Sequence, residues 1–155
     1  GEKFDFSKQL FPMVLEKGWP MYAKTIDGVW FDVGHPSELI RAQHTLIAQR
    51  HTLPFPLPKG TFDGNSFVAE NAQLKGTLEG SVVSSQSVVG LGSHLHDVLV
   101  MSNCTIGEHC MLENTVVGQG VSIGSGSVLK NVILGDGMRL EENSVFENCR
   151  IPAVE

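Results

Sequence analysis

The sequence predicts a mainly β fold whose principal part, from about Val83 to Ile151, is a parallel β-helix. Three observations carry this. First, apolar residues return every 17 positions, divided into steps of 6, 6 and 5: Val89, Ile106, Ile123, Leu140; then Leu95, Leu112, Leu129, Phe146; then Val83, Val100, Val117, Leu134, Ile151. All 13 positions are apolar in a chain that is 41% apolar overall. A period of 17 is too long for a heptad and fits no helical face, but it fits a coil of three short strands and three corners. Second, a small or medium residue stands two places before each of these, among them Ser87, Ser93, Val98, Cys104, Cys110, Thr115, Ser127, Met138 and Cys149. Residues two apart in a strand share a face, so each strand sends one small or medium and one large residue into a narrow interior. Third, the corner positions are Gln86, Gly92, Asp97, Asn103, His109, Asn114, Gly120, Gly126, Asn131, Gly137, Asn143 and Asn148. Ten of these twelve are Gly, Asn or Asp, the types that best tolerate a positive φ.

Asn114, Asn131 and Asn148 fall in register, which permits a ladder of amide hydrogen bonds. Val68 to Val82 reads as a first, irregular coil, because Leu74 is out of phase. Stacked coils are expected to leave open β edges at their ends and flat polar sheets on their sides.

The front of the chain has a different texture. Leu10 to Lys17 reads as a short helix, with Pro12 in its first turn and Gly18 after its end. Met21–Ile26 and Val29–Val33 read as two strands joined at Asp27-Gly28, a hairpin turn signal. Pro36 opens a second helix with Leu39, Ile40, Leu46 and Ile47 on one face, ending near Arg50 or His51. The alternating prolines of Leu53–Pro58 favour a stiff extended connection. The organisation expected is therefore a small α+β segment over residues 1–51, a linker over 52–60 and the β-helix over 61–155.

Composition narrows the function. Net charge is −6 and no basic stretch could track a phosphate backbone, so nucleic acid is not an expected partner. No apolar run is long enough to span a bilayer, and Gly1-Glu2-Lys3-Phe4 does not resemble a signal peptide. Three cysteines without disulfide-like spacing suit a reducing, cytoplasmic setting. The start without Met reads as a piece of a longer protein.

Units such as Ile106-Gly107-Glu108-His109-Cys110-Met111 and Ile123-Gly124-Ser125-Gly126-Ser127-Val128 resemble the hexapeptide repeats of left-handed parallel β-helices; the left hand comes from that resemblance alone. Phe6-Ser7-Lys8-Gln9-Leu10-Phe11-Pro12, followed by Trp30-Phe31-Asp32-Val33-Gly34-His35-Pro36, resembles the end of the catalytic domain of sugar-1-phosphate nucleotidyltransferases of the mannose-1-phosphate guanylyltransferase kind. Residues 1–51 would then be the remnant of that domain. The resemblance implies that the parent chain transfers a nucleotidyl group from an NTP to a sugar 1-phosphate and releases pyrophosphate. It implies Mg²⁺ as cofactor, Asp32 as one of two carboxylates that hold it, and a β-helix that serves homo-oligomerisation or regulation. His35 stands where Thr is common in that family. The family's Gly-rich nucleotide loop, the second Mg²⁺ carboxylate and the sugar-phosphate lysine are not found in this sequence, so no catalytic residue is assigned within it and the 155-residue piece is expected to be inert.

Each candidate has a structural competitor. Asp32 at a strand end can also cap the next helix, and Trp30, a candidate for shaping the substrate pocket, can serve as core. His94 and His96 suggest the base of a β-helix acyltransferase, but both point outward in this register. His109 fits a corner, and all three cysteines fall in the inward series as inert thiols. The glycines of Val89-Gly90-Leu91-Gly92 and Val117-Gly118-Gln119-Gly120 recur with the coil and open no helix, so they read as corners rather than phosphate loops. Two other functions stand beside nucleotidyl transfer: an acyltransferase acting on the β-helix itself, and a non-catalytic regulatory homologue.

Overall fold

A computed structural model describes residues 3–33 and 35–152. The chain forms two compact units that divide between Trp30 and Phe31. In the first, a π-helical turn (Phe6–Leu10) leads into α1 (Phe11–Glu16). Gly18 then takes a left-handed φ of +60°. The Gly18 N–H donates to the Leu15 carbonyl and the Trp19 N–H to the Val14 carbonyl (3.0 and 3.1 Å), the paired bonds of a glycine-terminated helix end. The expected hairpin over 21–33 is not formed: no described residue from 19 to 33 lies in a strand, and Tyr22 is 93% exposed. A two-stranded hairpin is marginal by itself, and this one has no third strand or helix to cover it.

The second unit is a parallel β-helix of about five turns, with one helix against it. That helix, α2 (Pro36–Ala48), begins where expected and ends two residues early. Pro36 is in its first turn and His35 caps it, Nδ1 accepting from the Ser37 N–H at 3.4 Å. Ile40, Gln43 and Ile47, spaced at helical intervals, are buried. Ile47 clusters with Phe67 and Ala69 of the first coil, so α2 belongs to the same compact unit as the coils.

The strands are β1 (Gly60–Asp63), β2 (Ser66–Ala69), β3 (Gln73–Leu74), β4 (Thr77–Glu79), β5 (Val82–Val83), β6 (Val88–Val89), β7 (His94–Val100), β8 (Thr105–Ile106), β9 (Met111–Val117), β10 (Ser122–Ile123), β11 (Val128–Leu134), β12 (Arg139–Leu140) and β13 (Val145–Ile151). They make three faces. Face one is β3, β6, β8, β10 and β12, all parallel. Each seven-residue strand bends at a left-handed residue (Asp97, Asn114, Asn131 or Asn148). Its first half, stacked below β4, lies on face two; its second half, stacked below β2 and β5, lies on face three.

The register is the one read from the sequence. Leu95, Leu112 and Leu129 align, and so do Val83, Val100, Val117 and Leu134. All are buried, as are Val89, Ile106 and Ile123. All twelve corner residues named from the sequence have φ between +45° and +72°. The asparagine ladder is formed: Asn114 Nδ2 donates to Asn131 Oδ1 and Asn131 Nδ2 to Asn148 Oδ1, both at 2.8 Å.

The small inward series does more than fill space. The Val98, Cys104 and Cys110 N–H groups turn inward after their left-handed corners. Each donates to a hydroxyl from the coil before: Ser81 Oγ, Ser87 Oγ and Ser93 Oγ, at 3.0, 3.1 and 3.0 Å. Ser87 and Ser93 pass their own protons to the carbonyls of Met101 and Gly107 (2.9 and 2.7 Å). Thiols take the same place in the next coil, where Cys104 Sγ donates to the Gly118 carbonyl at 3.0 Å. A buried N–H left unpaired is costly, so these serines satisfy what an all-apolar core would strand.

The irregular first coil has a simple origin. Phe67 pairs with Val82 and Leu74 with Val89, whereas Thr77 pairs with His94. The first two offsets are two residues shorter than the third, so this coil lacks two residues at the corner after Leu74. A hairpin missed in the sequence closes its outer edge: β1 runs antiparallel to β2 through a turn at Gly64-Asn65, with Gly64 at φ +54°. The sides are not uniformly polar either. On face three the outward residues include Val82, Leu99, Val116 and Ile133, and α2 lies over them. Among the described residues, no helix is long and apolar enough to cross a membrane.

Two stability outcomes follow. Asn131→Ala is expected to cost about 1–3 kcal/mol in chemical denaturation, from a left-handed alanine and the broken ladder. Asn131→Gly, free of the φ penalty, should cost less; an alanine variant as stable as the glycine variant would remove the conformational part of this account. Ser87→Ala strands the Cys104 N–H and should cost about 1–3 kcal/mol.

Candidate functional site

Asp32 lies in the segment leading to α2 and is exposed. It does not cap that helix, because His35 holds the cap and also meets Ser37 Oγ at 2.8 Å. Gly34, part of the motif that singles out Asp32, lies outside the described residues. Its neighbour Phe31 is half-buried beneath the Arg41 guanidinium, 5.4 Å from the ring centroid. Asp32 is thus anchored through the backbone of a fixed neighbour, with its carboxylate left to solvent. One carboxylate supplies at most two oxygens, while Mg²⁺ takes about six. No group of three His, Cys, Asp or Glu side chains converges among the described residues. These residues therefore do not form a Mg²⁺ site by themselves. Trp30 is 74% exposed, so the core packing that competed for it is absent here.

The two histidines of the acyltransferase alternative stand outward on face two, as expected. His94 Nδ1 is 2.7 Å from Thr77 Oγ1. His96 Nε2 lies between Glu79 and Asp97 at 3.9 and 4.0 Å. His109 holds its corner at φ +55°, with its ring over Gly92, where a Cβ would come within 2.5 Å of Nδ1. Cys104 and Cys110 are buried, and burial pushes the Cys104 thiol up from its ordinary value. Cys149, in the last coil, is only half-buried.

One constellation was not legible in the sequence. The Gly80 carbonyl accepts from both Gln43 Nε2 and His44 Nε2, each at 2.8 Å, and His44 Nε2 is 3.1 Å from Asp97 Oδ1. Three side chains thereby pin α2 to one corner of the β-helix. The only trace in the sequence is the acidic Asp97 in a column that otherwise carries Gly80 and asparagines. Gly80 itself has φ +57°, and a Cβ there would strike Asp97 Oδ1 and His44 Nε2. A cleft runs from His35 at the start of α2 to Arg150 beside the asparagine corner. The ladder amides within it are bonded to each other, and its one hydroxyl–imidazole pair, Ser37 Oγ and His35 Nδ1 at 2.8 Å, stands at the cap of α2. A thiol reagent at neutral pH is expected to modify Cys149 in the folded chain, and Cys104 and Cys110 only on unfolding. Stoichiometric labelling of all three without loss of structure would contradict their burial.

Comparison with known proteins places this architecture. Glucose-1-phosphate adenylyltransferase of Clostridioides difficile (strain 630) is 32% identical over 116 residues, 64% of this chain and 30% of that enzyme. The same enzyme of Clostridium kluyveri is 28% identical over 115 residues, 63% of this chain and 30% of that one. The chain thus spans under a third of the length of these curated relatives. Among solved structures, the acetyltransferase domain of PglB from Neisseria gonorrhoeae FA1090 in complex with acetyl coenzyme A is 24% identical. That match covers 73% of this chain and 60% of that one, with a TM-score of 0.32, a likeness too slight to bear on fold or function. Residues 62–154, more than half the chain and nearly all of its coils, match the family described as GMPPB C-terminal domain, and the chain belongs to that family.

Proposed function

We propose that this chain is the C-terminal part of an enzyme that transfers a nucleotidyl group from an NTP to a sugar 1-phosphate and releases pyrophosphate. The observation that carries this is the family match over the coils, joined to 32% identity with a glucose-1-phosphate adenylyltransferase. In that reading, residues 1–51 close the catalytic domain, 52–60 link it to the coils, and the β-helix joins copies of the chain. The enzyme works in the cytoplasm. Asp32 supplies one carboxylate to Mg²⁺, with the remaining ligands coming from residues upstream, phosphate oxygens and water. The ion offsets phosphate charge in a reaction that depends on positioning and electrostatics. The exposed Asp32 carboxylate, free of any capping duty, is consistent with this role. Trp30, also exposed, stands two residues before it and serves to shape the substrate pocket.

The test uses the full-length parent protein, Mg²⁺, and panels of NTPs and sugar 1-phosphates. Pyrophosphate release is expected with at least one pair. It should fall by on the order of 10²-fold or more in Asp32→Asn, in line with the loss of an electrostatic element of a transfer site. The 155-residue chain alone should release none. Activity unaffected by Asp32→Asn would remove Asp32 from the metal site. A folded parent inactive with every pair would count against nucleotidyl transfer itself.

A further inference from the structure

The outward residues of face two form two straight columns. Strand register aligns Thr77, His94, Met111, Val128 and Val145 in one, and Glu79, His96, Glu113, Lys130 and Glu147 in the other. Met111, Val128 and Val145 are 57%, 39% and 71% exposed. On face three the apolar column lies under α2. On face one the outward residues include Gln73, Thr105, Ser122 and Arg139 and are mostly polar. Face two thus presents an apolar column that nothing covers among the described residues. The column beside it alternates in sign through Glu113, Lys130 and Glu147, with Lys130 Nζ 3.3 Å from Glu113 Oε2 of its own chain.

We propose that face two is a homotypic docking surface, on which a second copy of this chain lies with its coil axis reversed. The proposal rests on the reading that the β-helix joins copies of the chain, and specifies where and in what register. The charge sequence selects the geometry. A two-fold axis parallel to the strands, between the levels of Met111 and Val128, returns each column to itself in reverse order. Met111 then meets the partner's Val128, and apolar surface covers apolar surface. Glu113 faces the partner's Lys130, Lys130 faces the partner's Glu113, and His96 faces the partner's Glu147. An axis parallel to the coil would instead lay the apolar column on the charged one and bury Glu113 and Lys130 against Met111 and Val128, which costs charge desolvation without a new pair. The paired arrangement is isologous and closes at two subunits. Strands about 4.8 Å apart make a five-level face roughly 24 Å tall. Three residues per strand make it roughly 10 Å wide. Such a face is smaller than the ~800 Å² per partner of a standard stable interface, so the dimer is weak and reversible.

The test is sedimentation velocity of the 155-residue chain over a wide concentration range, with circular dichroism confirming that each variant folds. The unmodified chain should pass from monomer to dimer. Glu113→Lys alone and Lys130→Glu alone should each weaken dimerisation by at least about tenfold, since each sets like charges opposite one another at both symmetry-related places. An equimolar mixture of the two should recover dimer, because both cross-pairs are again of opposite sign. Val128→Gln, which leaves the charges in place, should also weaken the dimer. A chain that stays monomeric at millimolar concentration, charge variants that dimerise undiminished, or a mixture that stays monomeric would each overturn the proposal; the first would assign this face to a different partner. Pyrophosphate release by the parent is read separately, so failure of either test leaves the other standing.

Discussion

The structure depends on one backbone constraint, the left-handed residue at each corner. A coil that comes back into register after 17 residues must turn three times, about a third of a circle at each left-handed corner residue. Twelve successive corners from Gln86 to Asn148 do this with positive φ. Asn, Asp and Gly carry most of them because a short polar side chain or none meets the lowest penalty there. The penalty falls again where the corner residue has a second use. Asn114, Asn131 and Asn148 bond to one another, and His109 lays its ring over Gly92.

The corners dictate the interior. After Asp97, Asn103 and His109 the chain turns an N–H toward the axis, and that donor has no water to meet. The buried serines answer it, each from the coil before, so adjacent coils are joined through the core as well as along their sheets. Leucines and valines in the larger inward series supply the apolar burial. The combination explains why the core contains Ser81, Ser87, Ser93, Thr115 and Ser127, all completely buried, without loss of consistency. The interior is filled by these packed side chains.

The ends and sides of the β-helix are treated unequally. The hairpin of β1 and β2 pairs the first edge antiparallel, which ends a parallel stack cleanly. At the other end β13 has one neighbour among the described residues, β11, and Pro152 follows it directly. On the sides, face three is closed by α2, held at the Gly80 corner by Gln43 and His44. Among the described residues, face two has no such cover. The same Asp-Gly signal illustrates what context does. Where Asp63-Gly64 occurs a hairpin forms, turning at Gly64-Asn65, because β2 is already docked on β5; at Asp27-Gly28 none forms, because no described element offers those residues a surface.

The sequence by itself determined the coil. Period, inward series, corner chemistry and ladder were all readable, because each coil repeats the same local demand and the demands reinforce one another over four coils. It also determined α1 and α2, through Pro12, Gly18 and Pro36. Only the tertiary structure decided the rest. The missing pair of residues after Leu74 becomes visible only when strands are paired. The apolar column of face three could be assigned to α2 only once the helix was seen lying on it. The anchoring of that helix by His44, Gly80 and Asp97 joins positions far apart in the chain. Periodic features repeat a local rule and can be read from one strand of text, whereas a helix laid against a sheet is fixed by unique contacts between segments that share no pattern.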